Sequence, residues 1–367
     1  MDSSTSDKRV GKKRIDKRNT ILKETVQQYT HEQAFQMFYQ AKCAERLREL
    51  TLRDYRKHFQ YLFEWFLEHH PEITCVSDIT PEVIREYIYF LSYEKPLYEG
   101  HPYRSDDRKA RKGLAPGAVN VRINTLKAMF RWFHQEGLTS INPTQNLSRQ
   151  RVEEDKIGAF TDEQVEALLE QPDRTTYAGN RDYVLMRLLL ESGMRIGEVV
   201  ALEKGEIDFK TRLITLSGAK NKNRRLRVIP VSTSIVRLLM ELIGENHVYF
   251  PESDRVFLAN YGEPLSPISI THRIKQYGTK AGIAHEVRCS PHTFRHTMAK
   301  NFLTSGGDII ALQRILGHSS MDMVRKYVQH TPDDLRIAHD RFISNSSLGG
   351  RSMTRPNHGT TKRTRDF

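Results

Sequence analysis

The last third of the chain carries the residue types that bind and attack a phosphodiester. His292 and Arg295 form a His-x-x-Arg pair, His318 ends the run Leu-Gly-His, and Tyr327 follows nine residues later. A guanidinium can donate two parallel hydrogen bonds to the non-bridging oxygens of a phosphate, and an imidazole can donate to the same oxygens. A tyrosyl hydroxyl is a nucleophile that can form a covalent intermediate. These residues predict the cutting and rejoining of DNA.

A metal site is the competing interpretation of the same segment, because His292 and His296 have the HxxxH spacing. Two features argue against zinc. The glutamate of a HExxH motif is missing, since Thr293 takes its place, and a site rich in cations repels a metal ion. We therefore expect no metal and no cofactor, and we interpret His296 as a hydrogen-bonded core histidine.

The overall composition favours a polyanionic partner. The chain has 367 residues, and 57 Lys and Arg against 45 Asp and Glu give a formal net charge of +12. Such a charge suits nucleic acid without identifying it. Cys43, Cys75 and Cys289 lie far apart, which indicates neither a disulfide framework nor a thiolate zinc site. The sequence lacks a long apolar run and a secretory signal, so we expect a cytoplasmic protein that makes no membrane contact.

The first half of the chain predicts a helical domain behind a solvated tail. Residues 1–25 are polar and basic, which is typical of a disordered segment. Helix starts are then indicated by a capping box at Thr30 and by prolines at Pro81 and Pro116. Aromatic residues recur behind each start at three- and four-residue spacing, as a buried helical face requires. We predict a helical domain over residues 26–148, and we leave the polar insert at 94–114 unassigned.

The second half predicts a mixed domain after a polar linker at 149–158. A capping box begins at Thr161, and an apolar helix runs from Tyr183 to Leu190 and ends near Gly193. Three extended runs predict a small antiparallel sheet: Glu206–Phe209, Arg212–Leu216 and Leu226–Val231. Helical patterns follow: Thr233–Ile243, Pro267–Ala281, His292–Leu303, Asp308–Leu316, Met321–Val328 and Pro332–Phe342. The predicted fold class is mainly α with a small antiparallel β-sheet, and residues 346–367 form a second basic tail.

Residues 30–345 resemble the tyrosine recombinases of the phage-integrase and Xer type. The resemblance rests on four boxes in order: Gly193–Glu198, the basic hairpin around Lys220, His292–His296, and Leu316–His318 with Tyr327 behind it. Each box alone is a weak pattern, but four in the same order are specific. The resemblance implies that 26–148 is a SAM-like core-binding domain and that 159–345 is an α+β catalytic domain.

The resemblance also implies the catalytic residues. They are Arg195, Lys220, His292, Arg295, His318 and Tyr327. In this scheme Tyr327 attacks the phosphodiester and a lysine protonates the leaving 5′ oxygen. The hairpin is about two residues longer than the family pattern, so counting from Gly218 selects Lys220 and counting back from Pro230 selects Lys222; we favour Lys220. Glu198 lies one helical turn after Arg195 and is predicted to pair with it or with a neighbouring base.

The implied reaction forms a 3′-phosphotyrosyl link that keeps the energy of the broken ester, so neither ATP nor a divalent metal is required. The expected partners are double-stranded DNA core sites and further copies of the chain, in a homotetramer on two duplexes. The basic tail, residues 1–25, is expected to be too short for a separate folded domain that reads distant sites. The expected task is integration and excision of a mobile element. The alternatives are resolution of chromosome or plasmid dimers, a type IB topoisomerase, a catalytically inactive DNA-binding relative, and a metal-dependent nuclease or transposase.

Overall fold

A computed structural model describes residues 28–97, 111–152, 158–218 and 226–318, together with positions 320, 321, 324, 336, 339, 340 and 343. The chain divides into two compact units, residues 1–154 and 155–367. Within the described ranges, no helix combines the length and the apolar character needed to cross a membrane. Both predicted tails lie outside these ranges, as do residues 98–110 of the polar insert.

The described part of the first unit is helical, as predicted. Its α-helices are α1 (His31–Ala44), α2 (Glu49–His69), α3 (Pro81–Tyr89) and α4 (Pro116–Gln135), and a π-helical turn, Phe90–Glu94, continues α3. The capping box of α1 is present, because the backbone N–H of Gln33 donates to Thr30 Oγ1 at 3.3 Å and Thr30 N–H donates to Gln33 Oε1 at 3.1 Å. Aromatic side chains fill the core, among them a stacked Phe35–Phe59 pair with ring centroids 4.0 Å apart.

The second unit contains helices and a small antiparallel sheet. The helices are α5 (Asp162–Leu169), α6 (Tyr177–Ser192), α7 (Ile196–Val200), α8 (Thr233–Tyr249), α9 (Pro267–Lys280), α10 (Pro291–Thr304) and α11 (Ile309–Leu316). The strands are β1 (Ile207–Asp208), β2 (Leu213–Leu216) and β3 (Arg227–Pro230). They pair antiparallel in the order β1-β2-β3, with Leu216 opposite Arg227. The predicted fold class is confirmed. The predicted helices at Met321–Val328 and Pro332–Phe342 lie largely outside the described residues.

Two helices are longer than predicted, one because of a local cap and the other because of tertiary contacts. Helix α6 begins at Tyr177 rather than at Tyr183, since Thr176 caps it by accepting a hydrogen bond from the Gly179 N–H at 3.1 Å. Helix α8 continues past Gly244 to Tyr249. There Asn246 is buried, accepts from the Tyr177 hydroxyl at 2.7 Å and donates to the Val256 carbonyl at 2.9 Å. The contact between Tyr177 and Asn246 joins residues 69 positions apart, so no local pattern indicates it.

A buried ion-pair network fixes α6 against α9. Asp182 is fully buried and accepts from Arg181 at 2.7 Å, from the Tyr277 hydroxyl at 2.8 Å and from Arg273. The remaining donor of Arg181 reaches the Leu258 carbonyl at 2.7 Å. A buried carboxylate requires such complete pairing, because an unpaired one carries a large desolvation cost.

Two glycines end the helices that lead to two of the four sequence boxes. Gly193 closes α6 with φ 59° and Gly317 closes α11 with φ 66°, both in the left-handed region that favours glycine. A Cβ on Gly193 would stand 2.7 Å from Leu316, and a Cβ on Gly317 would stand 2.8 Å from Arg227. Both helix ends therefore lie in close contact with neighbouring elements of the same unit.

Candidate active site

Arg295 connects the ends of two helices. It lies on α10, which Ser290 caps, and only 5% of its surface is exposed. Its Nη1 donates to the Gly193 carbonyl at 2.5 Å, and its Nη2 donates to the Leu316 carbonyl at 2.8 Å. Carbonyls at the C-terminus of a helix carry partial negative charge, so they stabilise a buried guanidinium. Arg295 thus joins the end of α6 to the end of α11.

His318 lies beside Arg295, and its imidazole ring is neutral. Its Nε2 lies 2.6 Å from Arg295 Nη2, and because a guanidinium only donates, Nε2 accepts and the proton is assigned to Nδ1. Burial lowers the pKa of His318 to about 4, and the charges of Arg295, Arg195 and Arg227 act in the same direction. At neutral pH the ring is therefore uncharged and carries its one N–H on Nδ1.

Glu198 joins two further arginines to the cluster. As predicted, it pairs with Arg195: Oε1 accepts from Arg195 Nη1 at 2.9 Å, and Oε2 accepts from the Arg195 backbone N–H at 2.8 Å. It also pairs with Arg227, whose Nη2 lies 2.5 Å from Oε2. Burial by itself raises the pKa of Glu198, but Arg227 and then the N–H and guanidinium of Arg195 hold it below its ordinary value. Glu198 is consequently a carboxylate.

Arg227 is the residue of this cluster that the sequence analysis missed. It begins β3, is 5% exposed, and also donates to the Leu316 carbonyl at 2.9 Å. The signal was present in the strand pattern, since side chains two apart share one face of a strand. Arg227 is in phase with the buried Ile229, whereas Val228 between them is 41% exposed.

The two histidines at HxxxH spacing have different surroundings. His292 lies on the exposed side of α10, near its start. Desolvation of its ring lowers its pKa, and the charges of Arg295, Arg288 and Arg195 lower it further. His296 is half-buried, and burial followed by Lys300 lowers its pKa. Across the described ranges, no group of three His, Cys, Asp or Glu side chains is placed to hold a metal ion.

The structure thus brings together Arg195, Arg295 and His318 and places His292 one helical turn from Arg295. Lys220, Lys222 and Tyr327 lie outside the described residues, so their predicted roles stay predictions. Their flanks are described. Leu216 and Arg227 form the last described pair before the lysine-bearing segment. Val324, three residues before Tyr327, is fully buried in a small core formed with Met298, Ala299, Leu312 and Leu316.

We predict that His318 makes the stability of the second unit depend on pH. Its pKa of about 4 lies below the value of about 6.5 expected in the unfolded chain. The unfolded chain therefore binds the extra proton first as pH falls, and stability is lost between about pH 6.5 and 4, by up to about 3 kcal/mol. Urea unfolding across this range should give a steeper pH dependence for the wild type than for His318→Gln. Equal slopes would contradict the prediction.

Comparison with known proteins supports an assignment to a DNA-cleaving family. The model of the phage integrase family matches residues 159–333. Tyrosine recombinase XerC of Chlamydia pneumoniae is 31% identical over 219 residues, which cover 59% of this chain and 69% of that protein. Tyrosine recombinase XerC 2 of Ralstonia nicotianae is 29% identical over 268 residues, or 72% of each chain.

A solved structure shares the fold. The Tn1549 transposon integrase in complex with a circular intermediate DNA superposes with a TM-score of 0.64 at 21% identity, covering 84% of this chain and 99% of that one. The predicted resemblance is therefore confirmed by a family match over the second unit and by relatives that extend beyond it. The chain belongs to the tyrosine recombinases and is an enzyme that breaks and rejoins DNA strands.

Proposed function

We propose that this enzyme is a site-specific recombinase whose six catalytic residues are Arg195, Lys220, His292, Arg295, His318 and Tyr327. The observation that carries the proposal is the convergence of two guanidiniums and a neutral imidazole at the adjoining ends of α6, α7 and α11. Preorganised donors of this kind stabilise the charge that develops on a phosphate under attack.

The charges of the cluster support a phosphate as its ligand. Arg195 and Arg227 share the carboxylate of Glu198, whereas Arg295 donates to the neutral carbonyls of Gly193 and Leu316. The described part of the cluster therefore holds surplus positive charge, which a DNA phosphate would balance. Arg195 is 25% exposed along its side chain, in contrast to the buried Arg227.

The hydrogen-bond donors of the cluster suggest how the phosphate is held. We assign Arg195 and Arg295 to the non-bridging oxygens, because each guanidinium can donate to them in the fork geometry. His318, through its Nδ1–H, and His292 are assigned to the same group.

The proposed reaction has two balanced steps. The Tyr327 hydroxyl releases its proton to water as its oxygen forms a bond to phosphorus, and the bond from phosphorus to the 5′ oxygen breaks, which leaves a 3′-phosphotyrosyl link and a 5′-hydroxyl. Lys220 supplies the proton to the departing 5′ oxygen as general acid. A 5′-hydroxyl from the partner strand then reverses the first step and releases the tyrosine.

We predict that Tyr327→Phe abolishes the covalent protein–DNA adduct while leaving DNA binding nearly unchanged, because one oxygen atom is removed. A nicked suicide substrate incubated with EDTA and run on a denaturing gel reports the adduct. Tyr261→Phe is the matched control and should form the adduct as the wild type does, since Tyr261 is 74% exposed in the same unit. An adduct formed by the Tyr327→Phe variant, or a wild type that requires added magnesium, would refute the proposal.

We predict that Lys220→Ala cleaves ordinary DNA slowly, by a factor of about 10² to 10⁴ if it removes the general acid. The same variant should recover on a substrate with sulfur at the 5′-bridging position, because a thiolate leaves without being protonated. Lys222→Ala is the control two residues away. If only Lys222→Ala is rescued, Lys222 is the general acid. If neither variant is rescued, neither lysine is the general acid.

We further propose that residues 26–148 form the core-binding domain, 149–158 the linker and 159–345 the catalytic domain. A cationic face on the first unit supports DNA binding there. Lys95 Nζ, Arg122 Cζ and Lys57 Nζ lie 5.2, 5.5 and 5.6 Å from the centre of the Tyr61 ring. Clustered cations of this kind neutralise DNA phosphates.

The XerC relatives favour an Xer-type task for this recombinase. We therefore propose resolution of chromosome or plasmid dimers, by a homotetramer bound to two DNA duplexes. The expectation of a mobile-element integrase is the second candidate, and the fold likeness to a transposon integrase supports it only at the level of fold.

We predict that covalent complexes trapped in cells map to one inverted-repeat locus of a chromosome or plasmid. Sequencing of the trapped DNA tests the task, and adducts at the two ends of a mobile element would favour the integrase instead.

Light scattering of the recombinase bound to that site in vitro should give the mass of four chains and two duplexes. In the same complex, Lys57 and Lys95 should be protected from acetylation. A mass of two chains would contradict the tetramer, and unprotected lysines would contradict DNA binding by the cationic face.

A further inference from the structure

Arg227 and Arg195 compete for one carboxylate. Arg227 donates to Glu198 twice, from Nη2 to Oε2 at 2.5 Å and from Nη1 to Oε1 at 3.4 Å. The side chain of Arg195 donates once, from Nη1 to Oε1 at 2.9 Å. This sharing leaves Arg195 with a single side-chain contact to Glu198 among the described residues. The rest of its guanidinium fork stays available for another anion.

The arrangement would change if Arg227 were absent. Glu198 is 4% exposed along its side chain, so it is poorly hydrated and needs a counter-ion. Among the described residues, Arg195 is the other cation that contacts it, and a guanidinium and a carboxylate prefer the two-bond fork geometry. Without Arg227, Glu198 would draw Arg195 into a full ion pair, and Arg195 would lose the donors that a phosphate requires.

Arg227 also fixes the turn that carries His318. Its Nη1 donates to the Leu316 carbonyl at 2.9 Å, the acceptor that Arg295 Nη2 reaches at 2.8 Å. Gly317 lies so close to it that a Cβ there would meet Arg227 Cδ at 2.8 Å. The strand residue thus contacts both the Arg195 box, through Glu198, and the turn before His318.

We propose that Arg227 is a positioning residue of the reaction: it neutralises Glu198, which keeps Arg195 free to bind the scissile phosphate, and it holds the turn that presents His318. Both Nη atoms of Arg227 donate to Glu198 or to the Leu316 carbonyl, so in this proposal Arg227 acts through these groups and does not contact DNA. The inference rests on the proposed function, in which Arg195 binds the non-bridging oxygens.

The test compares an ordinary scissile phosphate with a methylphosphonate, in which one non-bridging oxygen is replaced by a methyl group and the negative charge is lost. A neutral group depends less on guanidinium donors. Arg227→Met should slow adduct formation on the phosphodiester about 100-fold, the scale of a misplaced catalytic group. On the methylphosphonate its defect should be at least about tenfold smaller, and Arg195→Ala should show the same shift.

A second variant isolates the role of Glu198. Adding Glu198→Gln to Arg227→Met removes the carboxylate that would draw in Arg195, so the double variant should cleave the phosphodiester at least about fivefold faster than Arg227→Met alone. Arg227→Lys keeps a cation beside Glu198 and should stay within about tenfold of the wild type on the phosphodiester. Arg227→Lys also supplies a variant for the test if Arg227→Met proves unstable.

Arg181→Met is the matched control, because it removes another buried arginine, 3% exposed, from the Asp182 pair in the same unit. It should lower stability but leave the ratio of phosphodiester to methylphosphonate cleavage unchanged. Equal losses on both substrates for Arg227→Met, no gain in the double variant, or a Lys variant as impaired as Arg195→Ala would each overturn the inference. A wild type that forms no adduct on either substrate would instead overturn the proposed function.

Discussion

The crowding of guanidinium groups is the constraint on which the second unit's functional region depends. Arg195, Arg227 and Arg295 meet within one cluster, and like charges repel strongly where water is scarce. Their repulsion is offset by Glu198, which contacts two of them, and by the carbonyls of Gly193 and Leu316. Glu198 and the Leu316 carbonyl are each shared between two donors. Such sharing holds the cations in place without neutralising all of them.

Helix ends supply much of that negative charge. The last carbonyls of a helix have no donor within the helix, and a left-handed glycine turn satisfies only some of them, so others can accept from side chains. Gly193 and Gly317 end α6 and α11 in this way, and the carbonyls of Gly193 and Leu316 accept from Arg295. Because the helices hold the backbone, the guanidiniums have a fixed geometry. A phosphate that enters this corner meets donors that need little reorganisation.

The same crowding decides the chemistry of His318. A ring beside three guanidiniums resists a further positive charge, and its Nε2 lone pair already faces Arg295. The histidine is therefore a neutral donor that does not compete with the arginines for counter-ions. The protonation states of His318 and Glu198 follow from the same surroundings. Burial and the arginines both lower the pKa of His318, whereas burial raises the pKa of Glu198 and the arginines lower it.

The sequence by itself determined the capping boxes at Thr30 and Thr161 and the pairing of Arg195 with Glu198, because these features depend on neighbours within one helical turn. It also determined the fold class, because the spacing of apolar residues distinguishes helices from strands. The order of the four boxes was enough to indicate the family. Only the tertiary structure decided the role of Arg227, since its partners Glu198 and Leu316 lie 29 and 89 residues away. It likewise decided the neutral state of His318, because a pKa depends on the burial and charges that distant segments bring to the ring.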